Sequence, residues 1–196
     1  MLTQEKRQKK MGNTPWETLV IKHSRLDKGY VMTSNGGGRA GSIICNKTPD
    51  GMDIYIVDAF HEVSVVLETC NDGMDTVAFL VPVGKIVDNK GKFRLLGRLA
   101  RSTGRLDNKF VFQPAADQDV FVAIGSALSR SFVIRRRGIE VASFVKEGKT
   151  LEIAMNSPLL PVDKAIVIGI GIATSLRGEL ASALRSDLKI PTIVQA

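Results

Sequence analysis

The sequence predicts a mainly β protein, an antiparallel β-barrel wrapped around one hydrophobic central helix near the C-terminus. Two observations carry this expectation. From Ile43 onward, short runs of β-branched and aromatic residues are broken by turn signals every eight to twelve positions, the spacing of an antiparallel barrel or sandwich. Ala165 to Leu176 is then apolar nearly all round, with only twelve residues between Lys164 and Arg177. At about 1.5 Å per residue, twelve cover roughly 18 Å of a hydrocarbon core about 30 Å thick. No transmembrane span is expected. A helix without a polar face needs apolar surroundings, and the strands must provide them.

Taken in order, residues 1–13 read as a disordered basic tail. Met1 to Lys10 is polar and lacks the apolar run of a secretory signal. Residues 14–190 read as a single barrel domain, and 191–196 as a loose C-terminus. Trp16 to Met32 is mildly apolar and poorly periodic. Asn35-Gly-Gly-Gly38 is a loop, and it lacks the Lys-Ser/Thr or Gly-x-Gly-x-x-Gly context of a phosphate loop. Asp53 to Val57 and His61 to Leu67 have the composition of half-buried strands. Asn71-Asp-Gly73 turns the chain. Thr76 to Val83 is a strand that Pro82 confines to an edge or a terminus. Asp88 to Gly91 turns again, Phe93 to Leu99 returns, and a polar connection runs from Ser102 to Lys109.

The later strands are better spaced. Phe110 to Phe112 stops at Pro114, and Asp119 to Ile124 stops at Gly125-Ser126. Ser131 to Ile134 enters the hairpin-like turn Arg135-Arg-Arg-Gly138. Glu140 to Lys146 and Thr150 to Met155 close the series before Ser157-Pro158. The helix is expected near 163–176, with Asp163 as its N-cap after Pro161. Gly169 and Gly171 cost about 1 kcal/mol each relative to alanine, and are tolerated where strands approach closely. A buried strand over Ala165 to Ile172 is the rival; the length through Leu176 favours helix. Arg177 to Leu188 extends or follows it as a polar helix. No amphipathic helix interrupts the strands, which argues against βαβ units.

The formal net charge is +7, which favours anionic partners: phosphoinositide or other acidic phospholipid headgroups, nucleic acid, or an acidic protein. Cys45 and Cys70 fit neither a disulfide framework nor a metal-ligand spacing and read as buried thiols in a reducing, cytoplasmic compartment. An enzyme needs a constellation, and none is visible. His23 and His61 are 38 positions apart, and Ser64 points to the opposite strand face from His61. Asp53, Asp58 and Glu62 fall near strand ends, where solvation explains them. Nucleophile elbow, zinc and EF-hand patterns are missing. The expectation is a non-enzymatic protein with no cofactor and no metal.

The basic residues carry more. Lys85, Lys90, Lys92, Arg94, Arg98, Arg101, Arg105 and Lys109 stand against only Asp88 and Asp107 in that stretch. Lys92 and Arg94 share a strand face, joined by Arg98 if the register is unbroken across Gly97. Arg130 and Arg135 to Arg137 form a second concentration. Guanidinium groups of this density hold phosphates through charge-assisted, partly bidentate hydrogen bonds. The candidate anion- or lipid-binding residues are therefore Lys92, Arg94, Arg98, Arg135, Arg136 and Arg137. A lipid module would set such residues beside exposed apolar tips; a nucleic-acid binder would line a groove with basic and aromatic residues. Phe93, Phe110 and Phe112 fit equally well as core.

The order Phe132 to Lys146, Leu151 to Met155 and Pro161 to Ile172 resembles the end of the tubby C-terminal-like superfamily, which includes the LURP-one-related proteins and the phospholipid scramblases. The resemblance covers roughly the last 80 residues. It implies a twelve-stranded barrel, or a shortened relative, around the helix near Asp163 to Leu176. It also implies the possibility of phosphoinositide binding through basic residues on the barrel exterior. The chain departs from the scramblases in lacking a cysteine cluster for palmitoylation and an Asp-rich calcium loop before the final helix, so lipid translocation is not implied.

Overall fold

The computed structural model describes residues 14–24, 29–49, 51–70, 76–83, 92–102, 108–116, 119–126 and 131–175. The expected tail, the turns at 71–73 and 88–91, and everything from Leu176 on lie outside the described residues, as do Lys85, Lys90, Arg105 and Arg130.

Twelve strands form one closed barrel: β1 (Glu17–Ser24), β2 (Gly29–Ser34), β3 (Arg39–Thr48), β4 (Gly51–Asp58), β5 (Val63–Cys70), β6 (Thr76–Val83), β7 (Lys92–Arg101), β8 (Asn108–Pro114), β9 (Phe121–Ser126), β10 (Ser131–Arg136), β11 (Ile139–Glu147) and β12 (Thr150–Met155). Sequential strands pair antiparallel, and β1 closes the barrel against β12 from Glu17 opposite Met155 to Lys22 opposite Thr150. Closure gives each of these strands a neighbour on both sides, so the barrel presents no free edge strand to template aggregation. The segment that looked poorly periodic is regular: β1 buries Leu19 and Ile21 on alternate positions, and Tyr30 and Met32 of β2 are buried beside them. Pro82 pairs with Phe93 one position from the end of β6, the terminal placement that its missing N–H requires.

The helix α1 (Pro161–Ser175) is buried from Ala165 through Ala173, which answers its all-round apolarity. It contacts β5, β6, β11 and β12. Among the described residues, Phe79, Phe112, Phe121 and Phe144 are the largest fully buried side chains of the core it joins. Phe79 and Phe112 meet edge to face at 4.9 Å, and Phe132 stacks on Phe144 at 4.9 Å, arrangements that add to simple area burial. Lys164 Nζ donates to both carboxylate oxygens of Glu17 at 2.7 and 2.8 Å, tying the first turn of α1 to the start of β1.

Two readings need correction. His61 and Glu62 belong to the β4–β5 turn, where His61 adopts a φ of 65°; the strand begins only at Val63. Asp163 is the third helical residue and not the N-cap, and its carboxylate is committed elsewhere.

Candidate anion-binding rim

In an antiparallel barrel every second connection lies at the same end. Met155 leads into α1, so the end where α1 enters also holds the β2–β3 and β4–β5 turns, the last residue of β6 and the first of β7, the passage from β8 to β9, and the β10–β11 turn. Trp16 joins it, its backbone N–H donating to the Met155 carbonyl at 2.8 Å. Among the described residues, the large apolar side chains left in solvent gather here: Phe60 is 84% exposed, Ile139 70%, Leu160 69% and Trp16 65%, with Val83, Val120 and Val162 also exposed. Ile124, within β9, is the exception. Scattered exposed apolar residues need no explanation, whereas these seven share one end of the barrel.

Phe60 is presented by a tightly bonded turn. Asp58 Oδ1 accepts from the backbone N–H groups of Phe60 at 2.8 Å and Glu62 at 2.9 Å. The Asp58 N–H donates to the Glu62 carbonyl, also at 2.9 Å. An aspartate that satisfies its own turn is the usual device for fixing such a loop.

The six basic candidates fall into three settings. Lys92 and Arg94 are exposed on β7. They lie opposite Val83 and Val81 of β6, whereas the described pairing of β7 with β8 starts only at Gly97 and that of β5 with β6 ends at Val66–Leu80. Val83 and Lys92 thus stand at the rim, at the end of β6 and the start of β7, past the last described ladder pairs of these strands with β5 and β8. Arg98 is not part of this cluster. The register slips between Phe79 and Leu80, leaving Leu96 as an extra residue on β7. Val81 opposite Arg94 packs against the core, while Ala78 opposite Arg98 sits between the buried Val77 and Phe79 and so faces outward. The bulge thus puts Arg94 and Arg98 on opposite sheet faces. Arg98 joins an outer row with Asp53 and Glu68, which face each other across β4 and β5. Burial raises the pKa of both carboxyls; for Glu68 the Asp53 charge raises it further and Arg98 lowers it.

Arg135, Arg136 and Arg137 end β10 and begin its turn, three strand spacings of about 4.8 Å from β7. Arg135 is exposed and faces Glu140. The other two are already paired. Arg136 donates from Nε to Asp119 Oδ2 and from Nη1 to Asp163 Oδ2, both at 2.7 Å, with its guanidinium carbon 5.7 Å from the centre of the Phe121 ring. Arg137, in a left-handed conformation with φ 52°, donates from Nε to Asp119 Oδ1. These hydrogen bonds, from Arg137 first and Arg136 second, hold the Asp119 carboxyl below the usual range. Asp119, Arg136, Arg137 and the stretch Leu160 to Asp163 line a cleft of about 540 Å³. Asp119 and Asp163 were missed as partners of the arginines because nothing local signals a contact between residues 17 and 27 positions apart.

The remaining chemistry is quiet. Burial pushes the Cys45 thiol up to about 12, far from the thiolate range that reactive cysteines need. Among the described residues no group of three or more His, Cys, Asp or Glu is placed to hold a metal ion, and no helix is long and apolar enough to cross a membrane.

No family model matches the sequence, and no curated protein does. The fold is similar to the X-ray structure of the Arabidopsis thaliana protein AT5G01750, with a TM-score of 0.52 at 19% identity, over 83% of this chain and 93% of that one. At this identity the likeness is one of fold.

Proposed function

We propose that this protein is a non-enzymatic binding module of the tubby C-terminal-like, LURP-one-related kind. It rests peripherally on a cytoplasmic membrane surface and takes anionic, phosphoinositide-type headgroups at the rim where α1 enters. The observation that carries the reading is the coincidence, at one barrel end, of Trp16, Phe60, Ile139 and Leu160 with Lys92, Arg94 and Arg135. Apolar tips enter the headgroup boundary while cations meet the acidic surface. Each Lys or Arg near such a surface contributes about 1 kcal/mol, so neutralising three weakens binding roughly a hundredfold.

The test is co-sedimentation of full-length protein with phosphatidylcholine vesicles, with and without a phosphatidylinositol bisphosphate. Wild type is expected to bind only the acidic vesicles, and Lys92→Gln/Arg94→Gln/Arg135→Gln to lose most of that binding at unchanged melting temperature. Absence of wild-type binding at low salt would end the lipid reading.

A second reading, docking to another protein, is favoured by Phe60. Its turn carries Asp58 and Glu62, whose charges do not suit an anionic bilayer. The nucleic-acid alternative has less support, because Phe112 is fully buried and Phe110 packs against the core.

A further inference from the structure

Arg136 and Arg137 approach one carboxylate from its two oxygens, the way two guanidinium groups hold a phosphate. Beside them lies the open cleft of about 540 Å³, within the size range of small-molecule sites. Resting on the anionic-headgroup reading above, we infer that this cleft is a phosphate-monoester site in which Asp119 is a built-in competing anion. Binding exchanges the Asp119 carboxylate for a phosphate on Arg137 and on Arg136 Nε.

Three features support the exchange. Arg136 is gripped independently by Asp163 through Nη1 and lies over Phe121, so its guanidinium stays aimed when Asp119 leaves. Arg137 is 77% exposed, and its two terminal nitrogens have no partner among the described residues, leaving donors for an incoming anion. Leu160, Pro161 and Val162 form the apolar wall against which the carbon body of a phosphorylated ligand would lie. The charges decide the ligand class. Two arginines against two aspartates leave the cleft near neutral, so a monocarboxylate gains nothing by replacing Asp119. A phosphate monoester carries between one and a half and two charges and three acceptor oxygens, and it does gain. The source is either a lipid headgroup or a soluble phosphate ester.

The experiment compares wild type, Asp119→Asn, Asp119→Asn/Arg137→Gln and Glu62→Gln. Glu62 lies on the same rim outside the cleft, so its variant controls for the change in net charge. Binding is measured by calorimetry with soluble inositol trisphosphate and by sedimentation with phosphatidylinositol bisphosphate vesicles. Asp119→Asn is expected to bind inositol trisphosphate roughly tenfold tighter than Glu62→Gln does, and Arg137→Gln in that background to reverse the gain. Equal affinities of Asp119→Asn and Glu62→Gln for inositol trisphosphate would overturn the cleft while wild-type vesicle binding still upheld the rim. A gain with inositol trisphosphate and no vesicle binding by any variant would uphold the cleft, assign it to soluble esters and overturn the membrane reading. If Asp119→Asn fails to fold, Arg137→Gln alone must weaken inositol trisphosphate binding several-fold, and unchanged affinity would overturn the site.

Discussion

Gly169 of α1 sits directly against the ring of Phe79 on β6: a Cβ at Gly169 would stand 2.3 Å from Phe79 Cε1. The glycine is therefore a packing requirement of a helix threaded through a barrel. Gly171, two residues on, would place its Cβ 3.0 Å from Ile153 Cδ1, the free end of a side chain that can yield.

The two glycines should respond oppositely to the same change. Gly169→Ala gains about 1 kcal/mol of helix propensity but must displace a buried ring, and overpacking of this kind costs typically 1–3 kcal/mol. It is expected to lower the denaturant midpoint. Gly171→Ala keeps most of the propensity gain and is expected to be neutral or stabilising. Equal effects of the two substitutions would contradict the packing of α1 against Phe79.

Ile168→Asp places a carboxylate among buried apolar groups, since Ile168 is only 5% exposed. An unpaired buried charge is among the few single changes that cost several kcal/mol. The variant is expected to be unfolded or barely folded by circular dichroism. A melting curve like that of wild type would remove the segment from the core.

Much of this architecture was readable from residue order, for identifiable reasons. The helix declared itself because apolar residues without a polar face admit few environments, and β10 to β12 because their turns carry glycine. β1 and β2 did not: Leu19, Ile21, Tyr30 and Met32 form an inward face only once β1 has paired with β12 at the far end of the chain. His61-Glu-Val-Ser-Val has strand composition, yet Asp58 Oδ1 captures the N–H groups of Phe60 and Glu62 and makes the first part a turn. In the candidate site, the density of Arg135 to Arg137 was visible. Its neutralisation was not, because Asp119 reaches the arginines through the register that sets Phe121 opposite Arg136. One extra residue at Leu96 likewise separates Arg98 from Arg94; the neighbouring Gly97 marked where the register could break but not that it does.

That bulge separates the basic residues by experiment. Arg94→Gln is expected to weaken binding to acidic vesicles several-fold, whereas Arg98→Gln should leave it within error of wild type. Arg98 instead lowers the pKa of Glu68, so its loss should reduce stability modestly at neutral pH. Equal losses of vesicle binding by both variants would show that the two arginines serve one surface.

The outer pair Asp53 and Glu68 predicts a particular pH dependence. Their folded-state pKa values are raised, so between the unfolded value of about 4 and the folded value the native state holds more protons. Stability contributed by this pair is then present at low pH and lost as pH rises through the folded pKa. Asp119 works in the other direction. Its pKa is lowered by Arg137 and Arg136, so its contribution is present above the unfolded pKa and lost as pH falls through the folded one. Glu68→Gln is therefore expected to raise the melting temperature at pH 7, with the gain fading below about pH 4. Destabilisation of Glu68→Gln at pH 7 would show that the carboxylate is favourably paired.

Phe60 distinguishes contact with lipid from contact with protein. It is 84% exposed on a turn whose hydrogen bonds come from Asp58 and not from the ring, so Phe60→Ser should leave the melting temperature unchanged. If the ring enters a bilayer, the variant binds acidic vesicles more weakly at every salt concentration, because removing apolar area is not screened. Lys92→Gln/Arg94→Gln should instead flatten the salt dependence itself, since the Debye length shrinks from about 10 Å at 0.1 M to roughly 3 Å at 1 M and attraction through those residues shrinks with it. Parallel salt curves for wild type and Phe60→Ser, offset by a constant factor, are the expected result. Superimposed curves would take Phe60 off the membrane, and the turn carrying Asp58 and Glu62 would then be assigned to a protein partner.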